Sequence, residues 1–130
     1  MIPPHPDPYI RAIHLFNAEH YREALLAFEE RWHAERSDFL RGLINLANAM
    51  NQLRLGLVAG PRRNLTVARA LLSAYEPQHE GLDIVRIRAY IAELQALISD
   101  ESPLDTPHGV PWAQVPRLHL SIPPSPAPDQ

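Results

Sequence analysis

Apolar residues return every three or four positions through most of the chain and stop doing so at both ends. Ile10, Ile13, His14 and Phe16 or Asn17 recur at helical spacing as far as Asn17-Ala18, with Asp7 as N-cap and Pro8 at the first helical position. A second helix is predicted from about His20 to Ala34. Its stripe is Tyr21, Ala24, Leu25, Phe28 and Trp32, widened by Leu26, with Glu23, Glu30 and Arg31 on the solvated side. Ser37-Asp38 caps a third helix that reaches about Leu55-Gly56. Phe39, Leu43, Leu46, Ala47, Met50 and Leu53 face inward on it, and Gly42 and Ala49 are small enough for close helix crossing. Gly56 to Gly60 is a connection, and Pro61 suits the first turn of a fourth helix running to about Tyr75, with Leu65, Ala68, Leu71, Leu72 and Tyr75 as its stripe. Pro77 stops that helix. Gly81-Leu82-Asp83 then forms a tight lead into a fifth, with Asp83 as N-cap and Ile84, Ile87, Ile91, Leu94 and Leu97 or Ile98 toward the core. The fold class expected is all-α, a five-helix bundle of antiparallel helical hairpins.

Proline marks the limits of this pattern. Of 14 prolines, four lie within Pro3 to Pro8 and eight between Pro103 and Pro128, leaving only Pro61 and Pro77 between. The expected organisation is therefore a proline-rich arm over residues 1–8, a helical domain over 9–99 and a second arm over 100–130. The C-terminal arm is too apolar for an ordinary disordered tail, because Val110, Trp112, Val115, Leu118, Leu120 and Ile122 punctuate it. Arg117 to Ile122 even alternates like a strand. The arm reads as extended chain laid over the bundle or over a neighbouring subunit, with Trp112 as anchor.

Composition changes this picture mainly by exclusion. A chain of 130 residues with 45% apolar residues supports one core, and a net charge of -3 gives no reason to expect nucleic acid or an anionic membrane as partner. All 12 positive residues are arginine, which fits a coding bias as readily as a need for anion binding. Without cysteine there are no disulfides, thiolate metal sites or cysteine nucleophiles. No apolar run approaches the roughly 18 residues of a membrane span, and Met1-Ile2-Pro3-Pro4 lacks the basic start of a secretion signal. The expectation is a cytoplasmic protein.

The chemistry on offer is sparse. Asn45, Asn48 and Gln52 continue an amidic row from Arg41 along the third helix, and Glu29 and His33 stand across from it on the second. Together they outline either a recognition groove or a buried polar network joining the two helices; both readings remain open. Arg62 and Arg63, beside the exposed amides of the fourth helix, form the best anion site, the alternative being a solvated helix start paired with Glu19 or Asp100. Glu30-Arg31-Trp32-His33 is a Glu-x-x-His step of the kind used in di-metal bundles, but its only counterpart, Glu76-Pro77-Gln78-His79, is broken by proline. Neither a metal nor any other cofactor is expected. His14, His20 and His33 have no nucleophile context, and Gly56 to Pro61 lacks the lysine and hydroxyl of a phosphate loop.

Several of these pieces recur together. Phe16-Asn17, Tyr21, Glu23-Ala24, Glu29-Glu30 and Trp32, then Asp38 to Ile44, then Leu53-Arg54-Leu55-Gly56, Arg63-Asn64-Leu65 and Gly81-Leu82-Asp83 resemble the bacterial and archaeal family called domain of unknown function 309, over roughly residues 10–98. The resemblance implies a small helical bundle similar to tetratricopeptide hairpins and carries no biochemical activity with it. Members of that family commonly have a His-Glu pair where this chain has Leu25 and Leu26, so any shared polar chemistry would lack two groups here. The expectation is thus a non-enzymatic module that binds a protein, a peptide or itself. The alternative is a small metal-dependent or acid-base hydrolase using Glu29, Glu30 and His33.

Overall fold

Three local caps set where helices begin. In the computed structural model, which describes residues 7–98 and 111–121, the Asp7 carboxylate accepts from the Tyr9 N–H at 2.9 Å and starts α1 (Pro8–Asn17). Ser37 Oγ accepts from the Leu40 N–H at 3.1 Å and starts α3 (Asp38–Arg54), and Asp83 accepts from the Arg86 N–H at 3.0 Å and starts α5 (Ile84–Leu97). Each side chain satisfies an amide that the helix itself leaves unpaired. α2 (Tyr21–Glu35) and α4 (Ala59–Leu72) begin without such a cap. The start of α4 lies two residues ahead of Pro61, and the Arg62 N–H already bonds to the Val58 carbonyl at 3.0 Å.

The helices pack in chain order, α1 on α2, α2 on α3, α3 most extensively on α4, and α4 on α5. Short connections make α1–α2, α2–α3 and α3–α4 hairpins, while residues 73–83 form a longer link from α4 to α5. The bundle is all-α apart from β1 (Gln78–His79) and β2 (Leu82–Asp83), which pair antiparallel with Gln78 opposite Asp83. This small hairpin follows a 3-10 turn over Ser73–Tyr75 and folds back so that the Pro77 carbonyl accepts from the Ile84 N–H at 2.9 Å.

Phe16, Tyr21, Phe28 and Phe39 are the largest fully buried side chains, joined by the leucine face of α3 in one continuous core. Gly42 makes the α3–α4 crossing possible: a Cβ there would lie 2.8 Å from Leu72 Cγ. Three connections place a non-glycine residue at positive φ, and each is held by a long side-chain contact. Glu19 (φ 65°) ion-pairs with Arg117 at 3.4 Å, Arg36 (φ 55°) lays its guanidinium 4.4 Å from the Trp32 ring, and Glu80 (φ 45°) accepts from Arg31 at 2.9 Å.

Two side-chain placements depart from the helical reading. Leu26 does not widen the apolar face of α2; it is 50% exposed, and Ala27 is buried in its place. Arg31 is not solvated but half-buried, 4.9 Å over the Tyr9 ring and bonded to both Glu35 and Glu80. Burial would lower its pKa, but the hydrogen bonds and charges of these two carboxylates outweigh that and raise it. Of the two residues expected to close the α5 stripe, Ile98 is the buried one and Leu97 is exposed. Tyr9 and Tyr90 also join the core, three or four residues from Ala12 and Ile13 in α1 and from Ile87 and Leu94 in α5.

Candidate peptide-holding face

Residues 111–121 lie on the bundle and show what its α1–α2–α5 side can do. They form one 3-10 turn, Trp112–Gln114, followed by chain without strand pairing, so the strand-like alternation of the sequence reports burial and not a sheet. Val115, Leu118 and Leu120 are buried, while Arg117 is half-exposed and His119 fully outward. Trp112 meets the Tyr21 ring edge-on with centroids 5.8 Å apart, as expected of an anchor. Val110 and Ile122, and the arms at residues 1–6, 99–110 and 122–130, lie outside the described residues.

Two helix side chains hold the backbone of this segment. Asn17, the last residue of α1, donates from Nδ2 to the Leu120 carbonyl at 2.9 Å and accepts from the Leu120 N–H through Oδ1 at 2.7 Å. One amide side chain thus takes the place of a neighbouring strand. Tyr90 of α5 donates its hydroxyl to the Pro116 carbonyl at 2.5 Å. Arg117 organises the segment from within: its guanidinium sits 3.8 Å from the Trp112 ring and donates to the Trp112 carbonyl at 2.8 Å and to the Val115 carbonyl. The same guanidinium reaches Glu19, which ties the segment to the α1–α2 connection.

The floor beneath is apolar with hydroxyl tips. Tyr21 is fully buried, and its hydroxyl has no hydrogen-bond partner among the described residues. Burial, with the Glu19 charge adding to it and Arg117 and Arg54 opposing, pushes the Tyr21 phenol up to about 12. Burial also raises Tyr90 and Tyr9. An unfolded tyrosine titrates near 10, so the native state holds these protons more tightly. The stability they represent is intact below about pH 10 and is lost as the pH rises through the raised native values. Urea unfolding midpoints should therefore be level from about pH 8 to 9.5 and fall steeply above pH 10, in step with tyrosinate absorbance. A flat midpoint through pH 11.5 would contradict this placement of the phenols.

The residues singled out in the sequence are distributed differently. Gln52 turns toward α4: its amide accepts from Asn64 Nδ2 at 2.9 Å and lies so close to Gly60 that a Cβ there would meet it at 2.7 Å. Asn45 donates back to the Arg41 carbonyl of its own helix at 2.8 Å. Among the described residues no hydrogen bond or ion pair joins Glu29 or His33 to Asn45, Asn48 or Gln52. His33 is exposed and meets the Trp32 ring edge-on, with centroids 5.4 Å apart. The polar link that Gln52 makes is between α3 and α4, not between the second and third helices. Glu30 is engaged by Arg11 of α1, and among the described residues no three metal-ligating side chains converge.

Arg62 and Arg63 are the fourth and fifth residues of α4, half-buried and exposed respectively. Glu19 pairs with Arg117, and Asp100 lies outside the described residues. Asn17, Tyr90 and Glu19 were not legible as site residues, since each acquires its role from a segment about a hundred, or in Tyr90's case 26, positions along the chain. Among the described residues no helix is long and apolar enough to cross a membrane.

Fold and face together define a small helical bundle carrying an extended segment across one side. The family model described as domain of unknown function (DUF309) matches residues 9–64, and over this stretch the chain is similar to that family. The match ends in the first half of α4, short of Gly81-Leu82-Asp83, which the resemblance had included. No curated protein and no solved structure matches the chain. At the two positions where the resemblance implies His and Glu, Leu25 packs half-buried against the core and Leu26 is exposed.

Proposed function

We propose that this chain is a non-enzymatic interaction module and that its α1–α2–α5 face is a holder of extended peptide. The observation that carries the reading is the paired hydrogen bond between Asn17 and Leu120, which grips a peptide backbone without regard to sequence. Tyr90 adds a second backbone grip at Pro116, and buried Leu118 and Leu120 provide the apolar contribution to affinity. Recognition of backbone by fixed polar groups, with selectivity left to alternate side chains, is the logic by which sheet edges bind peptides. Here a helix-terminal asparagine does it instead.

The test separates segment from bundle. A chain ending at residue 110 is titrated with a synthetic peptide of residues 111–121, followed by calorimetry and by melting temperature. Saturable binding with a Kd of about 1–100 μM and a raised melting temperature are the expected results. A shortened chain that is a stable monomer, melts like the full chain and ignores the peptide would remove the basis for the reading.

A further inference from the structure

The segment that occupies this face belongs to the same chain, and its fit is incomplete in two independent respects. The Tyr21 hydroxyl on the floor is buried and finds no partner among the described residues, a loss on the order of 1–3 kcal/mol that the resident segment leaves in place. Beside Leu118 a cleft of about 590 Å³ runs between the segment and α5, lined by Arg86, Tyr90, Glu93, Pro116 and Leu118. The segment therefore holds the face through backbone bonds and two leucines without filling the space along α5 or satisfying the hydroxyl below.

We infer that residues 111–121 act as a tethered resident competitor for this face, which takes in trans an extended segment of another protein carrying Pro-x-Leu-x-Leu. The inference rests on the reading of the face as a peptide holder. The partner's chemistry follows from the resident's: a carbonyl at the proline for Tyr90, a leucine two residues on, and a second leucine whose backbone N–H and C=O meet Asn17. A basic residue between proline and leucine would reproduce the pairing of Arg117 with Glu19. A partner has two ways of gaining over the resident: a side chain long enough to enter the cleft along α5, and an acceptor within reach of the Tyr21 hydroxyl.

The tether sets the threshold for entry. Residues 99–110 join α5 to the segment, and a connection this short gives a local concentration of about 1 mM. For an intrinsic Kd of about 10 μM the resident is then bound in all but about one molecule in a hundred, and a partner of equal affinity is weakened about a hundredfold. A partner that binds must exceed the resident's affinity, or the resident must be weakened first.

The experiment uses the full chain and a fluorescent peptide, PWAQVPRLHLS, followed by anisotropy. The peptide is titrated into the wild-type chain, into Leu118→Ser/Leu120→Ser, in which only the resident is altered, and into that variant carrying Asn17→Ala as well. Expected are weak binding to wild type, binding at least tenfold tighter to the double variant, and loss of at least tenfold on adding Asn17→Ala. Equal affinity for wild type and double variant would overturn the competitor role while leaving the face a peptide holder. No binding to a folded double variant would overturn the holder itself. Should that variant fail to fold, a protease site inserted between Asp105 and Thr106 allows the folded chain to be cut, and the resident should then leave on dilution to low micromolar concentration. A segment that stays bound at nanomolar concentration would be a permanent strap, against the inference. A wild-type dimer that forms by exchanging segments and is not dissociated by the peptide would also overturn it, in favour of a second copy as occupant.

Discussion

Replacement of Phe39 by alanine is expected to lower the unfolding free energy by about 3–5 kcal/mol, the range for a fully buried aromatic removed from a site that cannot collapse. Phe39 is 1% exposed and stands in the first turn of α3. Its ring lies 6.1 Å from Tyr9 of α1, 5.4 Å from Tyr75 of the 3-10 turn and 4.5 Å from His79 of the hairpin. Tyr9 is fixed by further contacts, through its hydroxyl to the Glu80 carbonyl at 2.8 Å and by Arg31 over its ring, and Tyr75 and His79 pack on each other with centroids 4.8 Å apart. Tyr9 cannot move into the vacated volume without breaking its contacts. Thermal unfolding should show a fall of roughly 10–20 °C for a domain of this size, and Phe39→Leu should recover more than half of it. A loss below 1 kcal/mol in the alanine variant would mean that the hairpin at 76–83 is not packed on α3 as described.

Phe39 also shows what kind of information the sequence carries. Its burial was legible because it begins a stripe with period near 3.6, and the starts of α1, α3 and α5 were legible because Asp7, Ser37 and Asp83 each cap an amide two or three residues away. The Arg31 interaction was not legible, since Glu80 reaches it from a hairpin 49 residues distant. Read locally, an arginine between Glu30 and Trp32 belongs to solvent. Leu26 erred in the opposite direction: apolar character suggested a wider face, but among the described residues no element covers that side of α2 and Ala27 completes the packing.

The candidate site divides along the same line. Glu29, His33, Asn45, Asn48 and Gln52 attracted attention because polar residues on helices are easily aligned by counting, yet Gln52 is committed to α4 through Asn64 and the close approach of Gly60. Asn17 looked like a helix-terminal residue of no distinction. Its function depends on Leu120, and no short-range pattern could have paired the two. Trp112, Val115, Leu118 and Leu120 could be anticipated as contacts, because large apolar side chains in a proline-rich arm have few reasons to be there otherwise.

Leu118→Asp and Asn17→Ala should each destabilise the chain, and together they should cost hardly more than Leu118→Asp alone. The first places a carboxylate where a leucine is 3% exposed, and a fully enforced burial would be far more costly than the protein's whole stability. The expected escape is for residues 111–121 to leave the bundle without unfolding it. The measured loss is therefore capped at the free energy with which the segment is docked, expected at about 2–5 kcal/mol by comparison with a buried leucine removed outright. Asn17→Ala leaves the Leu120 N–H and C=O without their partner and should cost about 1–3 kcal/mol while the segment stays docked. Once Leu118→Asp has released the segment, Asn17 has nothing left to hold, so the second substitution becomes nearly silent. Urea unfolding should show this as a coupling energy close to the full Asn17→Ala effect, accompanied by a smaller m-value in every variant carrying Leu118→Asp, because less surface is buried in its native state. Strict additivity of the two losses, with an unchanged m-value, would show that the segment unfolds only with the bundle. The α1–α2–α5 face could then never be vacated in the native protein, and no partner could use it.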